Sequence, residues 1–415
     1  MFNYYRRYYS SLLIGVLLLV NLFFVFHLFK IDFHEFATPD SISEKLDKDL
    51  LDFQSKDFEN FDDLSQYFST SAEKNGAAYA FELLKIVPLS PSTDTHLLGH
   101  VVGDVLYKQE GVDGMHTCTP DFRNACSHTI VVGLLLDQGE NALPTIADAC
   151  KNAPGGPGAY TMCFHGLGHG VLAYNGYDLD KAAQMCQKIG TKEFDDREGT
   201  ECIGGAIMEM ISGGSHDKQA WEREKNKFLS DLDPLMPCSL DIISRENKYL
   251  CYTYLTPHLF EVGGANLAKP DNASIEKAFT YCDVISSKEV SDRRACFSGF
   301  GKEFIVLAKE RDIRNMNSFT ATELQTVHDW CGLAHKQEGV DYCTEGAVTS
   351  LFWGGENNPQ VSVDFCSLAG DADKDSCFDV LLGNAQQYLN SNEALNNFCG
   401  LLPQPYKETC LQKIK

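Results

Sequence analysis

No cysteine occurs before residue 118, and no C-x-x-C occurs anywhere in the 415 residues. The second absence removes dithiol redox motifs and covalent haem attachment from consideration. There is also no H-E-x-x-H, no G-x-S-x-G and no phosphate-binding Gly-Lys-Ser, so the common signatures of zinc proteases, serine hydrolases and P-loop enzymes are missing. Positive charge is scarce: Lys and Arg number 35 against 58 for Asp and Glu, a formal charge of -23. Such a surface repels nucleic acid phosphates and anionic headgroups, which excludes nucleic acid as a partner. Strand-like alternation is rare as well, so the fold class is all-α.

What the chain does have begins with an apolar run over residues 12–29, broken only by Asn21 and His27. As a helix it spans about 27 Å, enough to cross a bilayer. Arg6 and Arg7 precede it, while Asp32, Glu35 and Asp40 follow. The positive-inside bias then leaves residues 1–11 as a cytoplasmic tail and the bulk of the chain extracytoplasmic. The run exceeds the 7 to 15 residues of a signal-peptide core, and no small-x-small site follows it. It therefore reads as an uncleaved transmembrane signal anchor, with a membrane as the partner of this helix. Residues 30–74 read as a charged stalk with a short amphipathic helix around 44–53, and residues 75–415 as a helical repeat domain.

The sixteen cysteines fall into eight sequential couples: Cys118 with Cys126, Cys150 with Cys163, Cys186 with Cys202, Cys238 with Cys251, Cys282 with Cys296, Cys331 with Cys343, Cys366 with Cys377 and Cys399 with Cys410. Couples start 32 to 52 residues apart, the period of helix-pair repeats with insertions. In each, the first cysteine closes an amphipathic stretch and the second opens another. An exported compartment favours disulfides over metal binding by such pairs. Each local bond would contribute about 2 to 3 kcal/mol by restricting the unfolded chain. Helical patterning is clearest over 177–186, 274–285, 294–310, 322–333 and 375–389. The expected architecture is an α-solenoid-like array with sequential local disulfides.

One segment, Gly168-His-Gly-Val-Leu-Ala-Tyr-Asn-Gly-Tyr-Asp-Leu-Asp-Lys-Ala-Ala, resembles the SEL1-like branch of tetratricopeptide-type repeats. The resemblance covers one unit, and the 32 to 52 residue spacing departs from that family's tight period. It implies an exported, disulfide-stapled solenoid, with residues 163–174 as a helix lining the concave face and disulfides joining adjacent units.

Five histidines occupy equivalent slots of three successive units. His96-Leu-Leu-Gly-His100 aligns with His165-Gly-Leu-Gly-His169, and Cys126-Ser-His128 with Cys163-Phe-His165. On a helix, positions i and i+4 share a face, and neutral imidazole is the commonest ligand of zinc, copper and iron. The expected site is therefore a transition metal held by His96, His100, His128, His165 and His169. Glu209 stands near as a further ligand or as a general base on metal-bound water, and Met208 and Met210 would suit copper. A histidine pair in a helix is more often a hydrogen-bonded surface pair, and duplication can copy a packing histidine; recurrence in matching slots is what favours metal. Glycines inside the same helices, such as Gly99, Gly166 and Gly168, each cost about 1 kcal/mol relative to alanine. They imply either close helix approach or room for a ligand.

Equivalent helices about 10 Å apart would put the first and third histidine helices about 20 Å apart. A single mononuclear site could then not use all five rings. The options are a tightly coiled array, a dinuclear site or two separate sites. His116, His216, His328 and His335 read as loop or surface residues without a role. Three functions compete: a metal-dependent hydrolase or redox enzyme, a non-enzymatic scaffold for a protein or peptide partner, and a noncovalent haem binder.

Overall fold

A computed structural model of the chain describes residues 39–413, apart from residues 157 and 390. The apolar run over 12–29 and the tail before it lie outside the described residues. Among the described residues, no helix is long and apolar enough to cross a membrane. The helix Pro39–Gln54 lies in one compact unit, and residues from Lys56 onward form the other.

Among the described residues the second unit has helix as its regular structure and no strand. Inside the segment read as a stalk, the helix Phe61–Asn75 buries Leu64, Phe68 and Ala72. Eight helices form the inner row: α1 (Thr95–Glu110), α2 (Asp121–Gln138), α3 (Ala159–Tyr174), α4 (Arg197–Ile211), α5 (Lys248–Tyr254), α6 (Val290–Ala308), α7 (Gln337–Phe352) and α8 (Asp371–Tyr388). Each packs on the next in chain order. Between them run shorter helices, among them Leu143–Cys150, Leu179–Cys186, Asn272–Asp283, Ala321–Cys331 and Pro359–Leu368. The stretches patterned as helices in the sequence fall within a few residues of these bounds.

All eight cysteine couples are bonded as expected, at sequence separations of 8 to 16, and no cysteine is free. Most join the end of a shorter helix to the first turns of the next inner one. Thus Cys282 bonds Cys296 on α6, and Cys366 bonds Cys377 on α8. Beyond the inner row, Cys399 bonds Cys410 on the closing helix Tyr406–Lys413. The first cysteine departs from the expected setting in two couples. Cys118 follows a 3-10 turn, and Cys238, bonded to Cys251 on α5, lies in an irregular stretch between helices. Side-chain caps fix several starts. Asp94, Asp178, Asp271 and Asn358 each accept a backbone N–H of the first turn, and Thr320 with Glu323 forms a capping box.

Glycine sets the spacing of the inner row. A Cβ on Gly168 would lie 2.1 Å from the Cys202 carbonyl oxygen, and one on Gly205 would lie 1.8 Å from that of His165. Helices α3 and α4 therefore touch backbone to backbone. The same reciprocal contact recurs between α6 and α7, where Gly301 faces the Cys343 carbonyl and Gly346 that of Ser298. The recurrence is the structural signature of the repeat. It also settles what the helix-internal glycines do at these positions, which is to permit close approach.

The row does not extend as a rod. The segment after α6 returns to the start of the array: Arg311 pairs with Asp94 at 2.7 Å, and Ser92 N–H donates to the Glu310 carbonyl. The Arg314 guanidinium donates to the carbonyls of Leu84 and Val87 at 2.9 and 2.7 Å. Farther along, Arg123 lies over the Trp353 ring, and the Glu356 carboxylate accepts the Gly156 N–H. The sixth and seventh units thus close on the first three, turning the inner helices toward a shared interior.

Candidate metal centre

Helix α1 supplies His96 and His100, α2 supplies His128, and α3 supplies His165 and His169. Curvature brings all five together. Ring centroids lie 4.6 Å apart for His96 and His100, 5.7 Å for each of these with His128, and 5.8 Å for His100 with His169. His165 lies 5.9 Å from His128 and 5.4 Å from His169. The first and third helices therefore do not hold their rings about 20 Å apart, because curvature and glycine contacts draw them inward. Ligand atoms of His96, His100 and His128 all fall within 4.8 Å of one another, a set that could hold a metal ion.

Hydrogen bonds fix which nitrogens are available. His96 Nδ1 bonds the Phe122 carbonyl at 2.6 Å. A carbonyl only accepts, so the proton sits on Nδ1 and Nε2 keeps its lone pair. That Nε2 lies 3.1 Å from His100 Nε2. Buried ring nitrogens without a hydrogen-bond partner include His100 Nδ1, both nitrogens of His128, His165 Nδ1 and His169 Nε2. The carbonyl of Met162 favours protonation of His128 slightly, a weaker effect than desolvation. Leaving such groups unsatisfied costs about 1 to 3 kcal/mol each, which a metal–nitrogen bond would remove.

Burial pushes the basicity of these rings down. His96 is lowered to about 4 by desolvation, only partly opposed by Asp94. His100, His128 and His165 fall well below the usual range for the same first reason, with neighbouring imidazoles adding to it. Neutral imidazole is the ligating form.

Glu209 is fully buried on α4. Its carboxylate accepts from His169 Nδ1 at 3.0 Å, Tyr177 Oη at 2.5 Å, Ser215 Oγ at 2.7 Å and the His216 amide at 3.3 Å. Burial alone would raise its pKa, but His216 and the bond from His169 hold it well below the usual carboxylate range. The bond to His169 places that ring's proton on Nδ1 and leaves Nε2 bare. Met208 lines the interior cavity beside His165, whereas Met210 is fully buried.

His216, read from the sequence as a residue without a role, belongs to the cluster. Its Nδ1 lies 3.2 Å from Glu209, and its ring centroid is 6.3 Å from both His100 and His169. A Gly213-Gly214 turn with positive φ folds it back over the end of α4. Tyr177, Ser215 and Arg123 are further site residues that the sequence pattern does not single out. The glycine pair ahead of Ser215 and His216 was the one local signal available. His328 bonds the Phe365 carbonyl and His335 pairs with Asp283, both away from the site.

The cluster lines one cavity, which shares wall residues with a second. The smaller, about 90 Å³, is lined by His96, His128, His165, Arg123 and Met208 among others. The larger, about 420 Å³, is walled by residues of α3 to α8, including Glu201, Arg294 and Glu345. Met162, Tyr254, Lys302 and Trp353 border both. In the larger one, burial lifts Glu201 to about 7 despite Arg197, and its carboxylate lies 3.9 Å from His165 Nδ1.

Compared with protein-family models, curated proteins and solved structures, the chain matches none. The likeness to SEL1-like repeats thus gains no support beyond the shared architecture of disulfide-stapled helix pairs.

Proposed function

We propose that the chain is a membrane-anchored, extracytoplasmic helical-repeat protein that binds one transition metal ion at His96, His100 and His128 and uses it in catalysis. The observation that carries this reading is the mutual approach of three ligand atoms to within 4.8 Å, two of the rings, His100 and His128, being buried with unpartnered nitrogens. Three imidazoles with an adjacent cavity leave a coordination position open, as catalytic zinc sites do and structural ones do not. Hydrolysis by metal-bound water and redox chemistry both suit such a site. His169, its proton held by Glu209, serves as a fourth ligand or as a hydrogen-bond partner of the bound water. This carboxylate–imidazole pair is the usual outer support of a metal ligand. Glu209, saturated with donors and shut off from solvent, is better suited to positioning His169 than to acting as a general base.

Eight disulfides with no free thiol support an oxidising compartment, which agrees with an anchor at residues 12–29. The competing readings draw less support. A peptide scaffold needs a long open concave face, and here the later units fold back on the first three and leave a half-open cavity of about 420 Å³. Haem needs a slot far larger than 90 Å³ between its axial rings.

Elemental analysis of the purified full chain tests the proposal. About one zinc, copper or iron per chain is expected, lost in His128→Ala. Absence of stoichiometric metal after reloading overturns it.

A further inference from the structure

Three cations line the small cavity: Arg123, Lys302 and Arg311. Arg311 is paired with Asp94 at 2.7 Å and Lys302 with Glu303 at 2.6 Å. Arg123 has no carboxylate partner among the described residues. Its guanidinium donates to Ser350 Oγ at 3.2 Å and lies 4.4 Å from the centre of the Trp353 ring. A guanidinium carries five N–H donors, so most of its hydrogen-bonding capacity is left over. The histidines sharing the cavity bring no negative charge. A divalent ion at His96, His100 and His128 would add two more positive charges beside Arg123. Asp94 and Glu303 line the same cavity, so three cations face two carboxylates, and a partly buried excess of this kind favours an anion.

The backbone at Arg123 points the same way. Phe122, Arg123 and Asn124 are three consecutive non-glycine residues with positive φ, at 55°, 53° and 64°. Each such residue costs about 1 to 3 kcal/mol unless its surroundings hold it. This turn directs the Phe122 carbonyl at His96 Nδ1 and places Arg123 in the cavity wall. One strained tripeptide thus orients a metal ligand and a cation together.

We infer that the small cavity is an anion site, in which Arg123 receives the carboxylate end of a small organic acid next to the metal position. A carboxylate matches the planar fork of a guanidinium with two parallel N–H···O bonds. About 90 Å³ accommodates a head group of a few heavy atoms. The body of the acid lies in the larger cavity, past Met162, Tyr254 and Lys302, which border both spaces. The location beside a metal rests on the proposed function; the anion site itself rests on Arg123.

The test is a titration of the full chain with acetate, read by Trp353 emission, first metal-free and then loaded with cobalt(II). Trp353→Phe identifies the reporting ring among the three tryptophans. A saturable response to acetate is expected, at least tenfold weaker for the neutral isostere acetamide and at least tenfold weaker in Arg123→Met. Arg123→Lys, which keeps the charge but not the fork, falls between. The acetamide comparison uses wild-type protein and stands even if Arg123→Met does not fold. Equal binding of acetate and acetamide, no saturable response in either form, or wild-type affinity in Arg123→Met overturns the inference. Acetate binding by metal-free protein that takes up no cobalt sinks the metal centre but not the anion site. Cobalt uptake without an acetate response does the reverse.

Discussion

The contact between α3 and α4 makes a quantitative demand on Gly205. Replacing it by alanine puts a methyl group 1.8 Å from the His165 carbonyl oxygen, where contacts closer than 3.0 Å are essentially never seen. The helices must part by at least the difference, 3.0 less 1.8, or 1.2 Å. Neither partner is a flexible side-chain tip, so backbone has to move. Alanine gains about 1 kcal/mol over glycine in helix propensity. Overpacking costs about 1 to 3 kcal/mol, and backbone against backbone belongs at the upper end. The expected net loss is about 1 to 2 kcal/mol, seen as a lower denaturant midpoint. The same displacement stretches the 3.0 Å bond from His169 to Glu209, so metal affinity falls about tenfold or more. Gly346→Ala is the control. Its methyl would meet the Ser298 carbonyl at 2.0 Å in α6 and α7, away from the histidines, so it costs comparable stability and leaves metal affinity unchanged. Gly383→Ala meets nothing within 4 Å and should be neutral or slightly stabilising. A Gly205→Ala protein as stable as wild type, or one matching Gly346→Ala in metal affinity, would refute this account of how the site is held together.

Other predictions follow from the same geometry. His128→Leu, by removing two unsatisfied buried nitrogens, should raise metal-free stability by about 1 to 2 kcal/mol while abolishing metal uptake, both measurable by denaturation with and without chelator. Removing the Cys150–Cys163 bond, at a sequence separation of 13, should cost about 3 kcal/mol in the same assay. Asp283 loses solvation on burial, but Arg293, His335 and Lys336 more than offset this and hold its pKa below the ordinary value. A depressed carboxyl stabilises the fold above its unfolded pKa of about 3.9 and ceases to do so as pH falls through its folded value. The stability gap between wild type and Asp283→Asn should therefore be full at pH 7 and shrink as pH falls below the unfolded value; a gap unchanged through acid titration contradicts the assignment.

The parts of the fold that were legible in the sequence are those set by neighbours along the chain. Couples such as Cys366 with Cys377 and Cys399 with Cys410 span only 11 residues, and helices such as Ala321–Cys331 announce themselves through an amphipathic stripe and a capping box. The five histidines were legible because His96 and His100 repeat the spacing of His165 and His169, and His128 and His165 stand at the same offset from a cysteine. What stayed hidden depends on contacts between distant positions. Arg311 meets Asp94 across 217 residues and Arg314 meets Leu84 across 230, and no local pattern encodes either. Trp353 reads locally as a packing residue that ends its helix, and it acquires its place opposite Arg123 only when the array closes.

That closure is why the spacing of helix axes was a poor guide to the site. Axes about 10 Å apart in a straight row would keep His100 and His169 on separate sites. Bend the row so that side chains point inward, and rings on the first and third helices can meet although their backbones stay a helix apart. The observed 5.8 Å between those rings needs both the bend and the missing side chains. Gly166 illustrates the second requirement: a Cβ there would stand 2.5 Å from the His128 ring, so α3 can lie against that imidazole only while the position is glycine. The histidines and glycines of α3 are thus two parts of one device, the first offering ligand atoms and the second letting a neighbouring unit bring its own within reach. Gly166→Ala should accordingly displace His128 and weaken metal binding even though every histidine remains, whereas a merely packing role for His128 would register only as lost stability.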